Sequence, residues 1–253
     1  MGEQSPLVEP GRPLTADERA RYQRQLVLPE IGELGQRRLV NARVLVVGAG
    51  GLGSPVLTAL AGAGVGTLGV VDDDTVAISN LHRQTIHAGA AVGTAKVDSV
   101  VRAVGELNPL VTVMPFRERL TADTARAIAR GFDLIVDGAD TFTTHADVAA
   151  AADEHGIPVV WGSALGWDGQ VAVFDRTAGG VGLEDLYPVL PADQPGGACQ
   201  VEGIVGPVCG AVGSVMAIEA IKLIVGTGRS LRGRMLVLDA RDQTWREVAI
   251  RPR

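Results

Sequence analysis

The chain has 253 residues, 46% hydrophobic and 21% charged, the balance of a water-soluble protein with room for one ordinary α/β core. Its 23 Lys and Arg against 29 Asp and Glu leave a net charge of −6, which gives no support to bulk nucleic-acid binding but leaves a local phosphate site open. Two cysteines are too few for a disulfide framework, and the polar, proline-broken start MGEQSPLVEPGRP is not a signal peptide, so the expected setting is the cytoplasm.

Residues 1–13 read as a flexible tail and residues 14–251 as a single domain. Thr15–Glu18 is a capping-box pattern that opens a helix through about Leu26. Pro29 interrupts it, and a second helix is predicted near Glu33–Val40. Strand and helix then alternate. Strands are predicted at Arg43–Val47, Thr67–Val71, Val111–Pro115, Leu134–Asp137 and Pro158–Trp161. Helices are predicted at Gly51–Ala63, Thr94–Leu107, Ala122–Arg130 and Thr144–His155. The strands are continuous Val, Leu and Ile runs, as a sheet covered on both faces requires. The fold expected is α/β, a Rossmann-like and mostly parallel sheet flanked by helices.

After Trp161 the pattern changes. Gln170–Phe174 alternates like a strand, and Met235–Asp239 with Trp245–Ile250 reads as an antiparallel pair in the C-terminal half. Between them a Gly-, Pro- and Asp-rich stretch, about residues 176–205, is expected to be a mobile loop. A long helix, Gly210–Val225, follows it. The apolar run Ala211–Gly226 carries Glu219 and Lys222 and is too short to span a bilayer, so no membrane association is expected.

The segment VLVVGAGGLG (Val44–Gly53) breaks from strand into four glycines, Gly48, Gly50, Gly51 and Gly53, ahead of a helix. Glycine lets backbone approach a phosphate, and the helix start offers unpaired N–H groups. Asp72 ends the next strand, where a carboxylate would accept a ribose hydroxyl. These residues suit NAD and ATP equally. The loop that follows concentrates Asp74, Ser79, Asn80, Arg83 and Gln84. An arginine flanked by amides can clamp a triphosphate and stabilise a leaving pyrophosphate, though a polar surface loop would look the same. Lys96 is a second candidate phosphate cation, or a solvated lysine. The strand LIVDGAD (Leu134–Asp140) delivers Asp140 to the carboxyl end of the sheet, placed to hold Mg²⁺ against phosphate oxygens or to cap the next helix.

Together RYQRQ (Arg21–Gln25), GAGGLG, SNLHRQ (Ser79–Gln84), Lys96 and Asp140 resemble the ubiquitin-activating-like adenylyltransferases. Within that family the chain is most similar to the ThiF/MoeB type, bacterial enzymes that activate sulfur-carrier proteins for molybdopterin or thiazole synthesis. The resemblance runs from about Thr15 to Ile250. It implies a homodimer that binds Mg·ATP and adenylates the C-terminal Gly-Gly of a small ubiquitin-like sulfur-carrier protein, in cofactor or natural-product biosynthesis. By motif, Asp72 binds the ribose, Asn80, Arg83 and Lys96 hold phosphates, and Gln84 belongs to the nucleotide loop. Asp140 holds the metal, and Arg24 reaches the neighbouring subunit's phosphates. Without the family, Arg24 reads as a surface helix arginine.

The chain departs from the family pattern in three ways. The region of the first CxxC pair reads GGVGLEDLYP and no second pair follows, so no zinc is expected. Asp140-Thr141-Phe142 and His145 replace the usual Asp-Asn-Phe and later Arg, leaving the ATP and carrier contacts there open. No rhodanese-like extension is expected to deliver sulfur in cis. Cys199 lies where relatives place a cysteine of sulfur or acyl transfer, against the plainer reading of a loop cysteine. Cys209 reads as a small packed hydrophobe. The competing readings are a relative that adenylates a peptide or a modified tRNA base, a non-catalytic scaffold, and a NAD-dependent oxidoreductase. The last leaves Arg83, Lys96 and Asp140 without a role.

Overall fold

The strand β1 (Arg43–Val47) sends Val44 and Val46 into one hydrophobic core and Leu45 and Val47 into another. Alternation with both faces buried explains why the run is continuously apolar. The computed structural model describes residues 5–177, 180–193 and 203–253. In it β1 pairs in parallel with β2 (Thr67–Val71) and β4 (Leu134–Asp137). β3 (Thr112–Phe116) extends the sheet past β2, and β5 (Val159–Leu165) past β4, again in parallel. β6 (Asp168–Phe174), β7 (Arg234–Asp239) and β8 (Thr244–Ala249) add antiparallel, giving the order β3-β2-β1-β4-β5-β6-β7-β8. The expected Rossmann-like sheet with antiparallel strands in its C-terminal half is borne out.

The helices in chain order are α1 (Ala16–Arg21), α2 (Gln23–Leu26), α3 (Gly32–Asn41), α4 (Gly53–Ala63), α5 (Lys96–Leu107), α6 (Ala122–Ala129), α7 (Phe142–His155), α8 (Leu183–Leu186) and α9 (Gly206–Val225). α3, α4, α5 and α9 cover the face carrying Val44 and Val46, while α6 and α7 cover the other. α9 is long and apolar enough to cross a membrane by composition alone. Here it is a core helix, with Val212, Met216, Ala220, Leu223 and Ile224 buried against the sheet and α4. Small residues let it approach: a Cβ at Gly162 or Gly169 would lie 2.3 Å from Met216 Sδ or Val212 Cγ2.

Several boundaries differ from the pattern, each for a tertiary reason. Residues 5–13 are not a slack tail. The Leu7 N–H donates to Leu223 O at 2.9 Å, Val8 enters the core, and Arg37 and Asn41 of α3 donate to the carbonyls of Gly11 and Glu9. The entry helix breaks at Tyr22, whose buried hydroxyl accepts from Asn108 Nδ2 at 2.9 Å. β5 continues past Trp161 because β6 folds back on it through a hairpin at Gly166-Trp167. α9 starts at Gly206, with a proline in its first turn where a missing N–H is harmless. Within the loop expected to be mobile, the described part carries α8 and buries Val181 and Leu183 in the second core.

Candidate nucleotide site

The turn from β1 into α4 is built by glycines that have different jobs. Gly48 adopts φ +85°, and a Cβ on it would lie 3.0 Å from Gly138 O at the end of β4. A Cβ on Gly53 would sit 1.8 Å from Gly48 O, so the turn closes on itself only with glycine there. Gly51 backs onto α9, where its added Cβ would meet Cys209 Sγ at 2.8 Å, and Cys209 is buried as expected. Gly50 differs from these. Nothing comes nearer to its Cβ position than Gln84 Nε2 at 3.7 Å, so protein packing does not demand a glycine there.

Asp72 ends β2 beside this turn. Its Oδ2 accepts the Ala49 N–H at 2.8 Å and its Oδ1 accepts the Asp74 N–H at 2.9 Å. Burial pushes the Asp72 carboxyl up, against the pull of Lys96, whose Nζ lies 3.8 Å away. Lys96 opens α5, is itself buried, and donates to Asp74 Oδ2 at 2.7 Å. The lysine is therefore held in an acidic pair at the rim of the turn, not solvated on a helix face.

The loop between β2 and α5 completes this rim. Ser79 and Asn80 lie in a single 3₁₀ turn, and Asn80 O accepts from the N–H groups of Arg83 and Gln84. Arg83 Nη1 donates to Ser79 O at 3.3 Å and to His82 Nε2 at 2.8 Å. A guanidinium has no acceptor, so that His82 nitrogen carries no proton. Gln84 is buried, and its Oε1 has no hydrogen-bond partner among the described residues. An orphaned acceptor beside Gly50 is what a site for a polar ligand leaves when the ligand is not counted.

The sequence reading missed His87. Its Nε2 meets Ala49 O at 2.9 Å and its Nδ1 meets Ser99 Oγ at 3.0 Å. Burial, reinforced by the Lys96 charge, holds this imidazole below its ordinary pKa. No local pattern marks such a residue, because its partners lie 38 residues back and 12 ahead.

On the far side of the turn, Asp140 is exposed and makes no hydrogen bond or ion pair among the described residues. It stands two residues beyond Gly138, whose carbonyl abuts Gly48. Asp140 does not cap α7: Thr141 does, accepting the Thr144 N–H at 3.2 Å, and Asp193 accepts from the N–H groups of Phe142 and Thr143. His145 faces inward. Its Nδ1 bonds buried Asp137 Oδ2 at 2.7 Å, between the rings of Phe142 and Trp161.

Of RYQRQ, Tyr22 and Gln25 are structural, the latter donating to Gln36 Oε1 and Ala63 O. Arg24 is exposed on α2, and among the described residues no hydrogen bond or ion pair ties it to the glycine turn. Cys199 lies outside the described residues. Asp72, Asp73 and Asp74 are the described acidic group closest-set enough to share a cation, whereas Asp140 stands apart from them.

The structure thus brings Gly48–Gly53, Asp72, Asp74, Lys96 and Gln84 together at the carboxyl ends of the interior strands β1 and β2, with Ser79, Asn80 and Arg83 on the adjoining loop. The model of the ThiF family matches residues 22–253 of this sequence. The chain belongs to the ThiF family. Among ThiF-family relatives, the probable adenylyltransferase/sulfurtransferase MoeZ of Mycobacterium tuberculosis is 48% identical over 249 residues, 97% of this chain and 64% of that protein. The chain thus spans somewhat less than two thirds of that relative's length. The sulfur carrier protein adenylyltransferase of Thermus thermophilus is 43% identical over 241 residues, 94% of this chain and 89% of that protein. The crystal structure of PaaA superposes with a TM-score of 0.80 at 22% identity, covering 95% of this chain and 76% of that one, a likeness of fold.

Proposed function

We propose that this ThiF-family chain is an adenylyltransferase that uses Mg·ATP to activate the C-terminal glycine of a small ubiquitin-like sulfur-carrier protein in the cytoplasm. The observation that carries the reading is the rim of the glycine turn: Gly50, where packing does not demand a glycine, the orphaned Gln84 Oε1 of the side chain next to it, and two bordering cations, Arg83 beside Gly51 and Lys96 beside Asp72. The two relatives quoted above, both named as adenylyltransferases, support it across at least 94% of the chain.

In the reaction proposed, an oxygen of the carrier's terminal carboxylate attacks the α-phosphorus. A carboxyl–phosphate bond forms, the bond to the bridging oxygen of the β-phosphate breaks, and pyrophosphate leaves with the electron pair. The nucleophile is already ionised at neutral pH, so no general base is required. The residues act by placing and by charge. Asp72 holds the ribose at the nucleoside end, while the Gly50 side of the turn, Asn80, Arg83 and Lys96 hold phosphates and stabilise the leaving group. Lys96 exchanges Asp74 for a phosphate oxygen as ATP enters. Asp140, exposed and unbonded beyond the carboxyl end of β4, would hold a magnesium ion, which would neutralise phosphate charge.

The same proposal makes the enzyme a homodimer, with Arg24 reaching the neighbouring subunit's nucleotide, and gives Cys199 a thiolate able to attack the acyl carbon of the adenylate, forming a thioester and releasing AMP. No zinc enters the proposed chemistry. The test is exchange of labelled pyrophosphate into ATP in the presence of a carrier protein ending in Gly-Gly. Carrier-dependent exchange is expected, and its absence with carriers encoded beside this gene would overturn the reading.

A further inference from the structure

Both peptide groups of Ala49 are gripped by side chains from distant parts of the chain. Asp72 takes the N–H, and His87 Nε2 meets the C=O. A carbonyl oxygen only accepts, so Nε2 must carry the imidazole proton. In the neutral ring Nδ1 is then the acceptor, and Ser99 donates its hydroxyl proton to it. The ring is buried, and the charge of Lys96 nearby favours that neutral form. Every polar atom of the ring is therefore occupied and its tautomer set.

The Ala49 C=O and the Gly50 N–H belong to one rigid peptide plane. Holding the oxygen from one side fixes where the N–H points on the other. Among the described residues no acceptor faces the Gly50 N–H, and Gly50 is the turn position whose added Cβ would meet nothing nearer than Gln84 Nε2 at 3.7 Å. The grip comes from the segment that also carries Gln84, and its second bond runs to α5, the helix that begins with Lys96. One short stretch thus sets the turn's backbone donor, the side-chain amide beside it and the cation.

We propose that His87, oriented by Ser99, is a positioning residue for the nucleotide, aiming the Gly50 N–H at a phosphate oxygen through the Ala49–Gly50 peptide. The inference rests on the ATP chemistry proposed above. A ring that merely filled core volume would leave nucleotide affinity indifferent to which of its nitrogens a replacement mimics.

The experiment is calorimetric titration of the full-length protein with Mg·ATP for wild type, His87→Leu, His87→Gln, His87→Asn and Ser99→Ala, with melting temperatures measured without nucleotide. His87→Leu removes the grip and weakens Mg·ATP binding about ten-fold. Gln places an amide donor where Nε2 stood and stays within about three-fold of wild type, whereas Asn mimics Nδ1 and behaves like Leu. Ser99→Ala falls between them. Wild-type affinity in folded His87→Leu, or equal losses in Gln and Asn, would overturn the proposal. Should the Leu variant not fold, the Gln and Asn pair decides alone. Failure of the wild type to bind Mg·ATP would instead remove the parent reading, a result separable from all of these.

Discussion

His145 donates from Nδ1 to Asp137 Oδ2 at 2.7 Å, with both side chains buried at the carboxyl end of β4. Burial alone would lower the imidazole pKa. The Asp137 carboxylate, with Asp140 and Asp193 behind it, outweighs that and raises the pKa above its ordinary value. A raised base contributes stability that is complete below about pH 6.5 and is lost as pH rises through the folded-state value. The expected outcome is a wild-type stability advantage over His145→Leu of about 3 kcal/mol near pH 6 that shrinks toward alkaline pH. Denaturant melts from pH 5.5 to 9 check it, and a gap that widened with pH would contradict the pairing.

His87 carries the opposite sign. Its pKa is lowered, first by burial, so its contribution is complete above about pH 6.5 and falls as pH drops toward the folded-state value. His87→Gln, which does not titrate, is expected to gain stability relative to wild type between about pH 6.5 and 5. The same melts, run on this variant, separate the two histidines by the direction of their slopes.

Gly50→Ala and Gly53→Ala are one methyl each, in the same turn, with different consequences. At Gly53 the methyl meets Gly48 O, and a loss of about 3 kcal/mol in stability is expected. At Gly50 it meets no backbone, so stability stays within about 0.5 kcal/mol while Mg·ATP affinity drops about ten-fold. Melting curves paired with nucleotide titration test the contrast. A Gly50→Ala protein that binds ATP normally would move the phosphates away from this turn.

Asp140→Asn is expected to leave stability within about 0.5 kcal/mol, since the carboxylate is exposed and holds no partner among the described residues. Pyrophosphate exchange is expected to fall by about two to three orders of magnitude, with a raised magnesium requirement. Exchange at the wild-type rate would take Asp140 out of the proposed site.

Arg24→Ala and Asp140→Asn, each inactive alone, are expected to recover about a quarter of wild-type activity when mixed and allowed to exchange subunits. In a heterodimer with cross-subunit sites, both defects fall in one site and the other is intact. No recovery despite demonstrated exchange would place Arg24 in its own subunit's site or outside the chemistry.

Much of this was legible in the chain. β1, β2 and β4 have the bounds their Val, Leu and Ile runs imply, because a strand buried on both faces has no alternative to apolar residues. The glycine turn was legible for the same reason: Gly48 and Gly53 stand where backbone meets backbone, and no other residue type fits. The family resemblance was legible in the ordered set RYQRQ, GAGGLG, SNLHRQ, Lys96 and Asp140, no one of which carries it alone.

What only the tertiary structure decided is which partners those residues have. Taken alone, Lys96 reads as a solvated lysine and Asp140 as a helix cap, yet folding buries Lys96 between Asp72 and Asp74 and leaves Asp140 exposed, with Thr141 as the cap. The Leu7-Val8 anchor, the break at Tyr22, the inward turn of His145 and the grip of His87 on Ala49 all depend on groups tens of residues away or on another element. Periodicity and local spacing report which face a side chain takes on its own element. The atom it meets across a packed interface is set by how the elements cross, and that is fixed only when the two cores close over the sheet.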